Sequence, residues 1–157
     1  HELADVHEFA AKVRAAKLAA GSMLVLARVQ SLVAQHGQSD ALARAHAYVD
    51  SGADAIVIHS RSSEPTEILR FLEAWDGVTP VVLIPTTYHQ LTISQMRSTG
   101  KVRMAVYANQ GLRAAISAMT RAFRQIIAEE SSPGVETWIA SLDEVFALQK
   151  PAEGRNP

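Results

Sequence analysis

Arg28, His59, Thr86 and Asn109 each stand at or just past the end of a short apolar run, and the four runs cover residues 23–30, 53–59, 80–85 and 102–107. An apolar strand has no mechanical use for a guanidinium, whereas a planar fork of donors suits an anion that offers two oxygens. An imidazole adds a group that titrates near neutrality, and a hydroxyl and an amide add neutral hydrogen bonds. The chemistry open to such a set is capture of an anion at one edge of a sheet and stabilisation of charge on it. A plainer reading stands beside each residue. Arg28 could pair with a neighbouring carboxylate, and His59 could be a satisfied structural histidine. Thr86, Thr87 and Tyr88 could cap a strand and pack the loop after it, which is the expectation for Thr87 and Tyr88. Asn109 could cap the helix that follows. Ser60 and Arg61 read as a solvated loop.

These residues need strands to hold them in one row. The runs are short and rich in β-branched residues, as in a parallel sheet covered on both faces. Helical patterns lie between them. The chain opens with a helix over 6–20 that ends near Gly21. Ser39 or Asp40 caps a helix over 41–50, closed by Ser51-Gly52. Pro65 suits the first turn of a helix running to Trp75, with Ile68, Leu69 and Leu72 on one face. A short helix covers 92–99 and stops at Gly100. A long one covers 110–130, with Leu112, Ile116, Met119, Phe123 and Ile126 at helical spacing. Ser132-Pro133-Gly134 breaks the pattern, and 135–148 resumes it with Trp138, Ile139, Leu142, Val145, Phe146 and Leu148. Trp75 and Trp138 are expected to anchor packing.

Strands and helices alternating at a period of roughly 25 residues predict a parallel α/β fold with right-handed crossovers. A full (β/α)8 barrel takes about 250 residues, and this chain has four strands in 157. Either a small doubly wound sheet or the second half of a barrel satisfies the pattern. A start on a helix without an initiator Met favours the half-barrel.

Composition narrows the class further. The chain is 48% hydrophobic with a mean hydropathy of +0.03, and no apolar run nears the roughly 18 residues of a membrane span. A cytoplasmic location is expected. There is no cysteine, which excludes disulfides and thiolate chemistry. The formal net charge is -1 with basic residues scattered along the helices, so neither a nucleic-acid nor a membrane surface is expected.

Several segments carry a family likeness. They are Ala27-Arg28-Val29-Gln30-Ser31-Leu32, the stretch 45–60 ending in Ile58-His59-Ser60, Pro85-Thr86-Thr87-Tyr88, Val106-Tyr107-Ala108-Asn109 and Leu112-Arg113-Ala114. In this order and spacing the chain resembles the phosphoenolpyruvate mutase and phosphonopyruvate hydrolase branch of the isocitrate lyase superfamily, from His1 to about Gln149. The resemblance implies an α/β fold, a (β/α)8 TIM-type barrel of which this chain supplies the last four βα units and a C-terminal helix. Residues 1–150 are then one barrel half with its terminal helices, and 151–157 a flexible tail.

The implied activity is interconversion of phosphoenolpyruvate and phosphonopyruvate, an isomerase reaction of phosphonate metabolism. Phosphonopyruvate hydrolysis to pyruvate and phosphate is the alternative. A noncatalytic module that binds a phosphorylated metabolite or serves assembly is the alternative of another class. Arg28 and His59 match the family residues that hold the phosphorus group, with Thr86 and Asn109 as further substrate contacts at the barrel mouth. Mg2+ is the implied cofactor. Its ligands, the catalytic aspartate and the gating loop are expected upstream of His1, so no metal ligand is assigned in this chain. Asp50, Asp54, Glu64 and Asp76 are expected to be solvated or capping residues away from the carboxyl ends of the strands.

Two places depart from the family pattern. Gln30 stands where an acidic residue is common, and Gln35-His36 replace small or apolar residues. A four-stranded barrel half would leave two strand edges and one face open, so a longer protein or a complementary chain is expected. The superfamily commonly exchanges its last helix between subunits, which implies a homo-oligomer, a tetramer.

Overall fold

The structure, a computed structural model, describes residues 2–149. The expected tail over 151–157 lies outside the described residues. The chain forms two compact units, His1–Asn109 and Gln110–Pro157.

The first unit runs α1 (Val6–Ala19), β1 (Leu26–Val29), α2 (Gly37–Asp50), β2 (Ala55–Ile58), α3 (Thr66–Ala74), β3 (Val81–Leu83), α4 (Ile93–Ser98) and β4 (Val102–Ala105). The strands form one parallel sheet in the order β1-β2-β3-β4, each paired with the next in sequence. Arg28 lies opposite Val57, and Val57 opposite Val82. Between Val81 and Val82 the register shifts, because β4 sets Val102 and then Met104 against them and leaves Arg103 as an extra residue.

The helices cover one face of this sheet. Ala27, Val29, Ile56, Ile58, Val81 and Leu83 pack there against Val13 of α1, Ala41, Ala45 and Tyr48 of α2, Ile68, Phe71 and Leu72 of α3, and Met96 of α4. Phe71, Ile56, Ile58 and Leu83 are fully buried, each contributing about 1.5–3 kcal/mol. The alternate residues Leu26, Arg28 and Met104 remain exposed on the other face. A doubly wound sheet carries helices on both faces, and a sheet wound in one direction carries them on one, as a barrel wall does. The second description fits this unit.

Polar contacts brace the amino-terminal foot of the sheet. The Asp54 carboxylate accepts from the Val25 N–H at 2.7 Å and from the Lys17 ammonium at 2.7 Å. Asp54 is therefore paired, and neither solvated nor a cap as its sequence context suggested. Lys101 donates to the carbonyls of Leu72 and Glu73 at the last turn of α3, where a cation also complements the helix dipole.

Helix starts follow local chemistry. Asp5 caps α1 by accepting from the N–H groups of His7 and Glu8 at 2.9 and 3.1 Å. Thr92 and Gln95 form a reciprocal capping box on α4. The start of α2 differs from expectation: it begins at Gly37, with His36 at the cap position and no side-chain cap bond. Gln35 at φ 64° and Gly37 at φ 85° turn the chain into the helix before Ser39 is reached. In α3, Pro65 occupies the cap position and Trp75 closes the helix.

The second unit contains α5 (Gln110–Glu129), α6 (Pro133–Glu136) and α7 (Leu142–Gln149). The apolar stripe expected over 135–148 is thus two helices. Ser141 and Glu144 cap the start of the second: the Ser141 hydroxyl accepts from the Glu144 N–H at 3.2 Å, and the Glu144 carboxylate accepts the Ser141 N–H at 2.8 Å. Within this unit the Trp138 indole donates to Gln125 at 3.2 Å, and the Arg121 guanidinium lies 4.1 Å above its ring. Among the described residues no helix is long and apolar enough to cross a membrane.

Candidate active site

The carboxyl ends of the four strands form one rim. Arg28 is the third residue of β1 and points to the open face, as the alternation of burial along Leu26–Val29 requires. His59 directly follows the last residue of β2, Thr86 lies three positions beyond the end of β3, and Asn109 lies four beyond β4. Arg28 and His59 come together, since the charge of one acts on the other. Asn109 belongs to the far side of the sheet, three strand spacings or roughly 14 Å from β1. Thr86 is half-buried between them, and its N–H donates to the Ile84 carbonyl at 2.8 Å.

Arg28 is exposed and makes no ion pair among the described residues. Arg44 supplies the contrast. Its guanidinium donates to Asp40 at 2.9 Å, to the Ala4 carbonyl at 2.8 Å and toward Tyr48, so it is spent on structure. Arg28, Gln30, Arg44 and Tyr48 line a cavity of about 130 Å³. Glu2 also lines it.

His59 is half-exposed, and its Nδ1 is buried without a close hydrogen-bond partner. Burial and then the positive charge of Arg28 hold its imidazole below the ordinary value, offset in part by the main chain of Ile84. Tyr88 packs beside it, with ring centroids 5.7 Å apart. Tyr88 is fully buried, and that burial pushes its phenol up to about 12, so it remains neutral.

A chain of hydrogen bonds runs behind His59. Thr87 Oγ1 donates to the Ser60 carbonyl at 2.7 Å, and the fully buried Ser60 hydroxyl donates to the Glu67 carboxylate. The Ser62 N–H donates back to Ser60 Oγ at 2.9 Å, and the Gln38 amide donates to the Glu67 carbonyl at 2.8 Å. Ser60, expected in a solvated loop, is instead buried and joins the tip of β2 to α3 and to the loop after β3. Glu67, Gln38 and Thr87 carry no local sequence signal for this, because their partners lie far away along the chain. Only the position of Ser60 next to His59 hinted at a role.

What this rim can do is hold an anion. A guanidinium with no ion pair among the described residues and an imidazole whose charged form is disfavoured stand at the open side, with Thr86 on the same rim. Among the described residues no three His, Asp or Glu side chains gather where they could hold a metal ion.

Comparison with known proteins gives the rim a context. A family model described as phosphoenolpyruvate phosphomutase matches residues 1–127. A phosphoenolpyruvate phosphomutase of Tetrahymena pyriformis is 42% identical over 150 residues, covering 94% of this chain and 50% of that protein. A phosphonopyruvate hydrolase of Variovorax sp. (strain Pal2) is 40% identical over 150 residues, covering 94% and 52%. The crystal structure of a phosphonopyruvate hydrolase complex with oxalate and Mg2+ aligns at a TM-score of 0.89 with 39% identity, over 94% of this chain and 53% of that one. The chain spans about half the length of the curated relatives it matches.

Proposed function

Because the chain belongs to the phosphoenolpyruvate phosphomutase family, we propose that it forms the phosphorus-binding half of an active site that interconverts phosphonopyruvate and phosphoenolpyruvate. Its four-stranded parallel sheet corresponds to half of the family's TIM-type barrel. The observation that carries the proposal is Arg28: exposed at the rim, without a carboxylate partner among the described residues, and next to an imidazole whose charged form is disfavoured.

In the proposed reaction the P–C bond of phosphonopyruvate breaks and a P–O bond to the enolate oxygen forms. Charge spreads over the equatorial oxygens of the moving phosphoryl group in a loose transition state. The Arg28 fork can hold two of those oxygens throughout, and its charge is permanent. His59 can take a further oxygen. Arrival of a dianionic group offsets the repulsion from Arg28 and favours imidazolium, which then donates a charge-assisted bond. Thr86 offers a neutral hydroxyl, and Asn109 an amide at the far side of the mouth. Mg2+, expected to be held by residues outside this chain, would neutralise charge on the substrate.

The hydrolase reading stays close because the Variovorax relative is almost as similar as the Tetrahymena mutase. It differs only in the acceptor, water in place of the enolate oxygen, giving pyruvate and phosphate. Gln30 favours the noncatalytic reading, since a neutral amide stands beside Arg28 where the family resemblance implies an acid. Incubating the full-length protein with Mg2+ and phosphonopyruvate and following 31P NMR separates the three. Phosphoenolpyruvate marks the mutase, inorganic phosphate the hydrolase, and no turnover the binding module.

Assembly is part of the proposal. Leu112, Ile116, Met119, Phe123 and Ile127 of α5 and Leu142, Val145, Phe146 and Leu148 of α7 are exposed. Such rows are commonly covered in an oligomer, and a tetramer with exchanged helices is the proposed form. Light scattering that finds a monomer at micromolar concentration removes it.

A further inference from the structure

The hydrogen-bonded belt behind His59 has a geometry that the binding of a substrate does not by itself explain. Gln38 lies in the first turn of α2, Glu67 in that of α3, Ser60 at the tip of β2, and Thr87 in the loop after β3. Each is joined to the next through side-chain hydrogen bonds. Ser60 is the residue after His59. Its carbonyl is taken by Thr87 at 2.7 Å and its hydroxyl by Glu67. The residue that follows the imidazole is therefore held twice, at its carbonyl in the peptide to Arg61 and at its side chain.

The ring itself is held from the neighbouring position. Tyr88 follows Thr87, is fully buried, and packs at 5.7 Å between centroids with a 40° tilt against the His59 ring. The Leu91 N–H donates to the Tyr88 carbonyl at 3.1 Å, so the loop that brings both residues is itself closed. A single hydrogen bond between a loop and a strand tip could be incidental. Here one loop fixes the backbone after His59 with one residue and the plane of its ring with the next.

We propose that Thr87 is a positioning residue for His59, acting through the Ser60 carbonyl and supported by the Ser60–Glu67 bond and the Tyr88 ring. The proposal rests on the reading of His59 as a ligand of the phosphorus group. Thr87 touches no reacting atom. Its effect is to keep the imidazole where it meets the anion, and small displacements of such groups are costly: a shift of about 1 Å can lower a rate by roughly a hundredfold.

The test uses the full-length protein labelled in its histidines. The His59 resonance is assigned by its loss in His59→Gln, and its titration is followed in Thr87→Val, Thr87→Ser and Ser60→Ala. Thr87→Val keeps shape and removes the donor. It should lower kcat about tenfold or more with little change in KM. The His59 midpoint should move up toward its ordinary value as the loosened ring gains solvent, while Thr87→Ser, which keeps the hydroxyl, should restore both. Ser60→Ala, which cuts the belt at its other link, should shift the His59 midpoint in the same direction. If Thr87→Val does not fold, Ser60→Ala decides alone. A folded variant of either kind with wild-type kcat and an unmoved His59 midpoint overturns the proposal, as does a Thr87→Ser variant as impaired as Thr87→Val. Should the wild-type protein turn over neither phosphonopyruvate nor phosphoenolpyruvate, the functional reading fails, and the His59 titration still decides whether Thr87 positions the ring.

Discussion

Lys17 places its ammonium 2.7 Å from both carboxylate oxygens of Asp54, tying α1 to the foot of β2 at the end of the sheet opposite the rim. The same carboxylate accepts the Val25 N–H. The Lys17 contact and then the Val25 bond hold the Asp54 carboxyl below its usual range. A carboxyl lowered on folding contributes stability that is fully present above its unfolded value near 3.9 and is lost as pH falls through the folded value. Asp54→Ala should therefore lower Tm at pH 7, and the gap from wild type should close on acidification below about pH 4. Circular dichroism melts across pH measure it; a gap independent of pH removes the ionic account.

Arg28→Ala in the full-length protein should lower kcat/KM by about a hundredfold or more, the scale for removing a donor that stabilises transferring charge. Arg28→Lys should recover little, because a point charge cannot present two parallel donors. Steady-state kinetics with phosphonopyruvate decide, and a near-wild-type rate for Arg28→Ala would sink its assigned role.

His59 should titrate below 6.5 in the ligand-free protein, since burial and Arg28 both disfavour its charged form. Removing one of the two causes has a definite sign: Arg28→Gln should raise the midpoint. Protonating a group whose folded value is depressed costs stability as pH falls from the unfolded value through the folded one. Wild type should therefore lose stability against His59→Gln on acidification below about pH 6.5. Histidine NMR and denaturant titrations measure the two effects, and a midpoint unchanged by Arg28→Gln would leave burial as the sole cause.

Gly77 offers a packing test remote from the rim. A Cβ there would lie 2.3 Å from the Trp75 ring, and that ring is fully buried, stacked on Phe71 and bonded through its indole N–H to the Thr79 carbonyl at 3.1 Å. Gly77→Ala should destabilise by about 1–3 kcal/mol, and Phe71→Ala by about 3–5 kcal/mol. Urea unfolding measures both; a neutral Gly77→Ala would mean that the ring yields.

What could be read from the amino-acid order depended on the range of the signal. Apolar runs ending in Arg28 and His59 announced the strands and their shared rim, because alternation and strand ends are local properties. Trp75 and Pro65 likewise declared the bounds of α3. The early start of α2 was hidden, since it depends on Gln35 and Gly37 adopting positive φ, which side-chain identity does not dictate for glutamine. Ser141 and Glu144 gave a capping signal that the continuous apolar stripe over 135–148 concealed. The belt from Gln38 through Glu67 and Ser60 to Thr87 was illegible for a different reason: its bonds join residues 7 to 29 positions apart, and nothing local marks either partner.

The strand order β1-β2-β3-β4 has a bearing on how the molecule is made. Every ladder joins a strand to its immediate successor, so each pairing closes a loop of only one helix, and the entropy of closure grows slowly with such lengths. No strand must wait for a distant one. During synthesis from the amino terminus the sheet can therefore be laid down one βα unit at a time, with β1 offering the template edge on which β2 forms. A stalled or truncated chain would expose only the two outer edges of the sheet formed so far rather than an unpaired array, which limits the surface open to misassembly.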